Sequence, residues 1–231
     1  MIGVTIGEKH NYNDFGLILT NRIIEPPKPQ VKTATVPLRD GTIDLTEALT
    51  EDIKYNNRKI TLTFSVTDPI TTWAYKISEI ENYLHGQRMR IIFDDDKSFY
   101  YVGRVAVNQW TSNKKIGTLV IDGEVEPYKY DLQSSAEGWL WDTFDFEQGI
   151  INELGEVDVN ESAEIKLICL RKRVVPTIIA STDMTVTFEG VTYCLKAGAQ
   201  KVYEILLKEG ENVLAFAGNG TVAIDYTGGS L

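Results

Sequence analysis

The sequence is poor in the residues from which most catalytic and metal sites are built. Its 231 residues include two histidines, His10 and His85, and two cysteines, Cys169 and Cys194. These four side chains lack the close spacing of a Cys/His zinc site, and neither histidine neighbours a motif that would complete a hydrolase triad. We therefore expect no metal, no cofactor and no enzymatic activity. Both cysteines fall in apolar runs and are predicted to be buried, free thiols.

Long apolar runs are missing as well. No stretch approaches the roughly 18 apolar residues that indicate a membrane span. The first residues, MIGVTIGEKHNYNDF, lack the basic start and the continuous apolar run of a signal peptide. These features predict a chain that is made in the cytoplasm and does not insert into a membrane.

Positive charge is scarce in the second half of the chain. The net charge is −10; residues 1–130 carry 16 Lys and Arg against 17 Asp and Glu, and residues 131–231 carry 7 against 16. An acidic surface repels a phosphate backbone, so we expect no nucleic-acid specificity. The uneven charge also gives a first indication of two domains.

The first half combines strand patterns with one helix. Residues 59–66, KITLTFSV, alternate apolar and polar side chains, which is typical of a half-buried antiparallel strand. Residues 68–86 predict an amphipathic helix, with Asp68 as N-cap, Pro69 at the first helical position and Gly86 at the end. Its predicted buried stripe consists of Ile70, Trp73, Ala74, Ile77, Ile80 and Leu84.

Periodicity weakens at residues 131–138, DLQSSAEG, and we place a domain boundary there, with domains at 1–132 and 133–231. The second domain is predicted to be a β-sandwich or barrel, because short strand patterns alternate with turn signals. Those turns are expected at Glu189-Gly190, Glu209–Asn212 and Gly218–Gly220. The last of them also matches G-x-G-x-x-A, but a strand pattern follows it where a dinucleotide site needs a helix.

Several acidic and aromatic groups have two interpretations. Asp94, Asp95 and Asp96 suit a solvated turn better than a cation site, because no further ligand pattern follows. Asp142, Asp145 and Glu147 have no spacing that identifies a glycosidase pair. Trp139 and Trp141 share one face of a predicted strand, where they would pack between domains or stack on a sugar ring.

The segment TVPLRDGTIDLTEAL, residues 35–49, predicts a hairpin that turns at Arg39-Asp40-Gly41. The order of VPLRDGTIDLTE, NRKITLTF, an amphipathic helix and EVEPYKYD resembles the distal tail proteins of long, non-contractile-tailed phages and of prophages. The resemblance covers nearly the whole chain. Its most specific parts are residues 37–45, residues 59–64 and Glu126-Pro127-Tyr128.

This resemblance implies a structural protein of the virion tail tip, made in the bacterial host cytoplasm. It implies a mainly β fold, with an N-terminal ring-forming domain that carries one helix and a C-terminal galectin-like β-sandwich. It further implies a hexameric ring that contacts the tail-tube protein on one side and a trimeric tail-tip or tail-lysin protein on the other. In larger baseplates of this kind the outer domains hold receptor-binding proteins.

Two hypotheses for the binding surfaces follow. In the first, the hairpin tip lies at a subunit interface formed by Pro37, Leu38, Arg39, Asp40 and Gly41; the alternative is a tip that only faces solvent. In the second, the C-terminal domain binds a host cell-wall saccharide, with Trp139, Trp141 or Tyr193 as the stacking face. A peptidoglycan hydrolase would need a carboxylate pair that the sequence does not nominate.

Overall fold

The structure is a computed structural model and describes residues 3–48, 50–66, 73–112, 116–132 and 156–231. The chain forms two compact units. The first unit comprises Met1–Asp95 and Tyr101–Pro127 with Leu231, and the second comprises Asp96–Tyr100 and Tyr128–Ser230. The predicted boundary between residues 132 and 133 borders a segment outside the described residues, so the division at that position stays a prediction.

The first unit consists of antiparallel strands and one helix. In sheet order β2-β1-β7-β8-β9-β6-β3, each strand pairs with its neighbours, and β4 pairs separately with β5. The elements are β1 Val4–Ile6, β2 Lys9–His10, β3 Leu17–Ile24, β4 Thr33–Thr35, β5 Thr42–Asp44, β6 Arg58–Val66, α1 Trp73–Leu84, β7 Arg88–Phe93, β8 Phe99–Ser112 and β9 Gly117–Val125.

The core of the first unit lies against the face of β6 that the alternation in residues 59–66 predicted to be buried. Strand β6 buries alternate side chains, as expected for a sheet with one covered face. Helix α1 covers this face with four of the predicted stripe residues. The buried apolar residues of these two elements are Ile60, Leu62, Phe64, Val66, Trp73, Ile77, Ile80 and Leu84.

The helix departs from its prediction at one described position. Ala74 is exposed, because at 3.6 residues per turn it lies about 100° round the helix from Trp73. Asp68, Pro69 and Ile70 lie outside the described residues. The predicted end is confirmed: Gly86 follows the last turn with a φ of 76°, a left-handed conformation that glycine adopts without a Cβ clash.

The described residues of the second unit form strands and their connections. Its six-stranded sheet has the order β14-β13-β16-β12-β15, with β11 on the free edge of β16, and β10 pairs with β17 and with the start of β8. The strands are β10 Lys129–Asp131, β11 Val157–Cys169, β12 Thr177–Ala180, β13 Met184–Phe188, β14 Val191–Leu195, β15 Gly198–Lys201, β16 Gly210–Asp225 and β17 Gly229–Ser230. The galectin-like character of this unit stays a prediction.

The two cysteines are free, and only one of them is buried. Cys169 is 2% exposed at the end of β11, and burial raises the pKa of its thiol to about 11. Cys194 is exposed, so the prediction that both thiols are buried was wrong for this residue. The reason is its position in β14, an edge strand where Cys194 points to the solvent face while Leu195 points to the core.

One predicted turn of the second unit is confirmed and another is wrong. Glu189 and Gly190 join β13 to β14, with φ values of 47° and 82°, as a two-residue hairpin turn requires. Asn219 and Gly220, by contrast, lie inside β16. That strand pairs with β11 along Gly210–Val222, while its other edge passes from β13 to β12.

The glycines beside Asn219 serve this change of partner. Gly218 and Gly220 have φ values of 148° and 147°, which bend the strand without ending it. A Cβ on Gly218 would lie 2.8 Å from the Cβ of Met184, and one on Gly220 would lie 2.5 Å from the Ser181 hydroxyl. Both positions therefore need glycine for close approach within the sheet.

A half-buried carboxyl, that of Asp131, lies where the C-terminal strand pairs with β10. The Asp131 amide donates a long hydrogen bond to the Gly228 carbonyl, at 3.4 Å. Its own carboxyl lies 2.4 Å from the position that a Cβ on Gly228 would take. Burial raises the pKa of Asp131 to about 6, and Lys129 opposes that rise only in part.

This pKa predicts a pH dependence of stability. The unfolded carboxyl has a pKa of 3.8 and the folded one of about 6, so the folded state holds its proton to higher pH. The contribution of Asp131 to the free energy of unfolding should thus fall as the pH rises between about 4 and 6 and stay level above that range. Asp131→Asn should remove this fall and raise the Tm at pH 7. Thermal melts followed by circular dichroism, from about pH 4 to 8, test the difference; identical pH profiles of the two proteins would contradict it.

Candidate assembly surface

A long arm leaves the sheet of the first unit between two neighbouring strands. Strands β3 and β6 are antiparallel partners up to the pair Ile24↔Ile60. Beyond it, the amide of Glu25 donates to the Lys59 carbonyl at 2.9 Å. Residues 25–57, here called the arm, thus form a long connection between β3 and β6. A short turn would have been enough to join these two strands.

The arm is held together mainly by backbone hydrogen bonds. Near its base, the amide of Gln30 donates to the Lys54 carbonyl at 2.8 Å, and that of Asn56 donates to the Lys28 carbonyl at 2.8 Å. Further out, β4 and β5 form a hairpin in the register Thr33↔Asp44 to Thr35↔Thr42. The arm is therefore a two-stranded ribbon for much of its length.

This ribbon has no hydrophobic core of its own. Among its described residues only Asp52 is buried, and the core cluster of the first unit takes no side chain from it. Two-stranded ribbons are marginally stable in water, because one strand pair buries too little apolar surface to offset its ordering entropy. Large apolar side chains nevertheless face solvent on the arm: Val31, Val36, Leu38 and Leu45.

The residues predicted to form an interface lie together at the end of the arm. The hairpin is confirmed, but its connection spans residues 36–41 and is longer than a two-residue Asp-Gly turn. Gly41 has a φ of 77°, in agreement with the backbone freedom expected there. Leu38 also has a positive φ, 64°, and its side chain is fully exposed. Pro37, Arg39 and Asp40 are exposed beside them.

Hydrogen bonds fix the position of one carboxylate near the tip, Asp44. The Thr46 hydroxyl and amide both donate to Oδ1 of Asp44, at 2.5 and 2.9 Å. These hydrogen bonds, the hydroxyl's first, lower the pKa of Asp44. The Thr46 hydroxyl also accepts a hydrogen bond from the amide of Lys32 across the ribbon, at 3.1 Å. Asp44 is therefore a fixed negative charge on an exposed strand.

The sequence pattern indicates the tip of the arm but not the length of the arm. The available signal was the series Pro26, Pro27 and Pro29, since proline has no amide to donate to a neighbouring strand. These residues mark the point where the chain leaves the sheet. Nothing local showed that the segment beyond them would return without joining a core.

Of the three aromatic residues proposed for saccharide stacking, the described part of the chain contains Tyr193. Tyr193 lies on β14 opposite Val186 and packs, partly buried, against the core of the second unit. Trp139 and Trp141 lie outside the described residues, as do Asp142, Asp145 and Glu147. In the described part of the chain, the structure does not bring together a set of aromatic stacking faces from these candidates.

The aspartate triplet forms the predicted turn between β7 and β8. Each carboxylate has its own basic partner. Nε2 of His10 lies 3.2 Å from Asp94, the Arg22 guanidinium binds both oxygens of Asp95 at 2.7 and 2.8 Å, and the Lys129 ammonium lies 2.9 Å from Asp96. The hydrogen bond from Arg22 lowers the pKa of Asp95. These carboxylates stabilise the turn through separate polar contacts, of which those of Asp95 and Asp96 are ion pairs.

Two further findings concern the described residues as a whole. Within them, no group of three or more His, Cys, Asp or Glu side chains is arranged to hold a metal ion. Among the described residues, no helix combines the length and the apolar character that a membrane span needs.

Comparison with solved structures relates this architecture to a known protein. The crystal structure of SPP1 Dit (gp 19.1) matches with a TM-score of 0.64 over 98% of this chain and 99% of that one, at 14% sequence identity. This chain has the fold of SPP1 Dit. That protein is described as a paradigm of the hub adsorption apparatus in phages that infect Gram-positive bacteria. No family model matches the chain, and no curated protein matches it.

The match extends over both units, since it covers almost all of each chain. It agrees with the mainly β fold with a single helix that the sequence predicted. At 14% identity the likeness to SPP1 Dit is one of fold, and side-chain roles must be argued from this chain alone.

Proposed function

We propose that this chain is a structural hub protein of a phage tail tip, which assembles as a hexameric ring between the tail tube and the adsorption apparatus. The observation that carries the proposal is the arm: a ribbon without a core that exposes apolar side chains, on a chain with the fold of SPP1 Dit. Such a ribbon is expected to gain its stability by packing against another chain.

A ring requires a heterologous contact, in which one patch of each subunit meets a different patch of the next. An arm that projects from one subunit suits this geometry, because its tip and its base present different surfaces. The ring would present one face to the tail-tube protein and the other to a trimeric tail-tip or tail-lysin protein. The second unit would face outward, where receptor-binding proteins are held in larger baseplates.

The first experiment measures the mass of the purified chain by light scattering over a range of concentrations. One chain has a mass of 26.0 kDa, and a hexamer of about 156 kDa is expected. Electron-microscope images should then show particles with a central hole. A chain that remains monomeric at every concentration, and that forms no ring when the tail proteins are co-expressed, would overturn the proposal.

The arm tip should contribute to this assembly without supporting the fold. Replacing Arg39 and Asp40 together with alanine is expected to weaken ring formation, because both side chains are exposed at the proposed interface. The Tm should change little, since exposed positions away from caps and cores usually alter stability by less than about 0.5 kcal/mol. Light scattering and thermal melts measure the two effects. Unchanged assembly would contradict an interface role for this pair.

A further inference from the structure

A groove lies at the base of the arm, on the solvent face of the sheet of the first unit. It has a volume of about 490 Å³ and is bounded by the first residues of the arm and by strands β6, β8 and β9. Its basic lining residues are Lys28, Arg58, Lys59 and Arg104, and its acidic ones are Glu25, Asp122 and Glu124. The groove thus collects four cations in a chain whose net charge is −10.

The three carboxylates of the groove neutralise its four cations only in part. Asp122 is already occupied, because it accepts hydrogen bonds from the Thr61 hydroxyl at 2.8 Å and the Asn108 amide at 2.7 Å, and pairs with the Lys59 ammonium at 2.9 Å. Glu124 lies between Arg104 and Lys59 in the strand register, so one carboxylate faces two cations there.

Two cations at the rim lack a carboxylate partner in the described structure. The Arg104 guanidinium donates to the Gly86 carbonyl, which is a neutral acceptor. For the Lys28 ammonium, none of the described residues supplies a hydrogen bond or ion pair. Both side chains are exposed, so an incoming carboxylate would reach them without displacing the core.

A buried cation lies beneath them. Arg58 is 5% exposed, donates to the Pro127 carbonyl and lies 5.5 Å from the centre of the Tyr101 ring. Its Nε has no hydrogen-bond partner among the described residues. Burial lowers the pKa of this guanidinium, because its charged form loses hydration there. An anion bound above it would offset that loss.

The arm tip carries the opposite charge. Residues 36–51 contain four carboxylates and a single basic side chain, Arg39. Asp40, Asp44 and Glu47 are exposed, and Asp44 is held ionised by Thr46. Tip and groove are therefore complementary surfaces at opposite ends of the same arm.

We infer that the acidic arm tip of one copy docks in the basic groove at the arm base of a second copy, with Arg104 and Lys28 as its main carboxylate partners. This inference rests on the proposed function, because it assigns the two patches of the ring contact. Since the patches differ, repetition of the contact is heterologous and closes into a ring when the rotation permits.

Charge reversal in the groove tests the pairing. The double variant Arg104→Glu with Lys28→Glu is expected to weaken self-association at least about tenfold, because it places like charges opposite the tip. A matched control reverses two exposed lysines elsewhere, Lys97→Glu with Lys201→Glu, and changes the net charge equally. The control should associate as the wild type does. Light scattering measures the association, and circular dichroism verifies folding.

A second charge reversal, in the arm tip, distinguishes lost pairing from a folding defect of the groove variant. Adding Asp40→Lys and Glu47→Lys to the groove variant should restore association, since the charges are again opposite. Wild-type association should also weaken as salt screens the exposed charges. A groove variant that assembles like the wild type would overturn the inference and leave the hub proposal intact. Failure of the tip changes to restore the folded groove variant would also overturn it. A wild-type chain that never self-associates would remove both.

Discussion

Replacing residues 30–54 with the dipeptide Asn-Gly is expected to give a folded chain that no longer assembles. Pro29 and Tyr55 face each other as an antiparallel bridge at the base of the arm. Asn-Gly is the preferred two-residue connection between such partners, because both residues adopt positive φ. The replacement therefore removes most of the arm and keeps the ladder between β3 and β6.

Folding should survive because the arm contributes nothing to the core of the first unit in the described residues. Loop length affects stability only weakly, so a shorter connection is expected to leave the Tm unchanged or to raise it slightly. Assembly should be lost because the tip is removed, although the residues that line the groove all remain. Thermal melts and light scattering on the same preparation give both results.

The control for this deletion is the wild-type chain at matched concentration. A shortened chain that unfolds would show that the arm supports its own subunit. A shortened chain that still forms rings would show that other surfaces suffice for the subunit contact. Either result would contradict the role given to the arm, and the two are distinguished by the far-ultraviolet circular dichroism spectrum.

The second large effect is expected in the core of the first unit. Phe64 is fully buried on β6, opposite Leu119 of β9 and Leu19 of β3. Phe64→Ala should lower the free energy of unfolding by about 3–5 kcal/mol, through lost burial and the cavity that remains. Domains are typically stable by only about 5–15 kcal/mol, so this is a large fraction of the total.

Urea unfolding followed by tryptophan fluorescence measures the change in the first unit, where Trp73 is buried against the same core. Tyr75→Ala is the matched control: its side chain is 79% exposed on helix α1, and a change within about 0.5 kcal/mol is expected. A Phe64→Ala variant with the wild-type unfolding midpoint would contradict the assignment of this residue to the core.

The sequence by itself determined the elements whose pattern repeats locally. The alternation in residues 59–66 predicted both the strand and its buried face, because side chains of a strand point to opposite sides in turn. The four buried residues of helix α1 followed from the helical period in the same way. The turn at Glu189-Gly190 was predictable because a hairpin of that length demands positive φ.

Tertiary structure decided which of these patterns meet a partner. Ile43 and Leu45 alternate with polar residues as core strands do, yet Leu45 is exposed and no core covers the hairpin. Alternation shows that two faces differ, but not what lies against either face. Asn219-Gly220 has the sequence of a turn and lies within a strand, because pairing with β11 continues through it.

The groove was beyond the reach of sequence patterns for a similar reason. Lys28, Lys59 and Arg104 are far apart in the chain and follow no shared spacing. They meet because the register of β6, β9 and β8 aligns Lys59 with Glu124 and Arg104. The first residues of the arm place Lys28 in the same groove. Sequence determines local conformation through short-range sterics and periodicity, whereas long-range strand pairing decides which charges become neighbours.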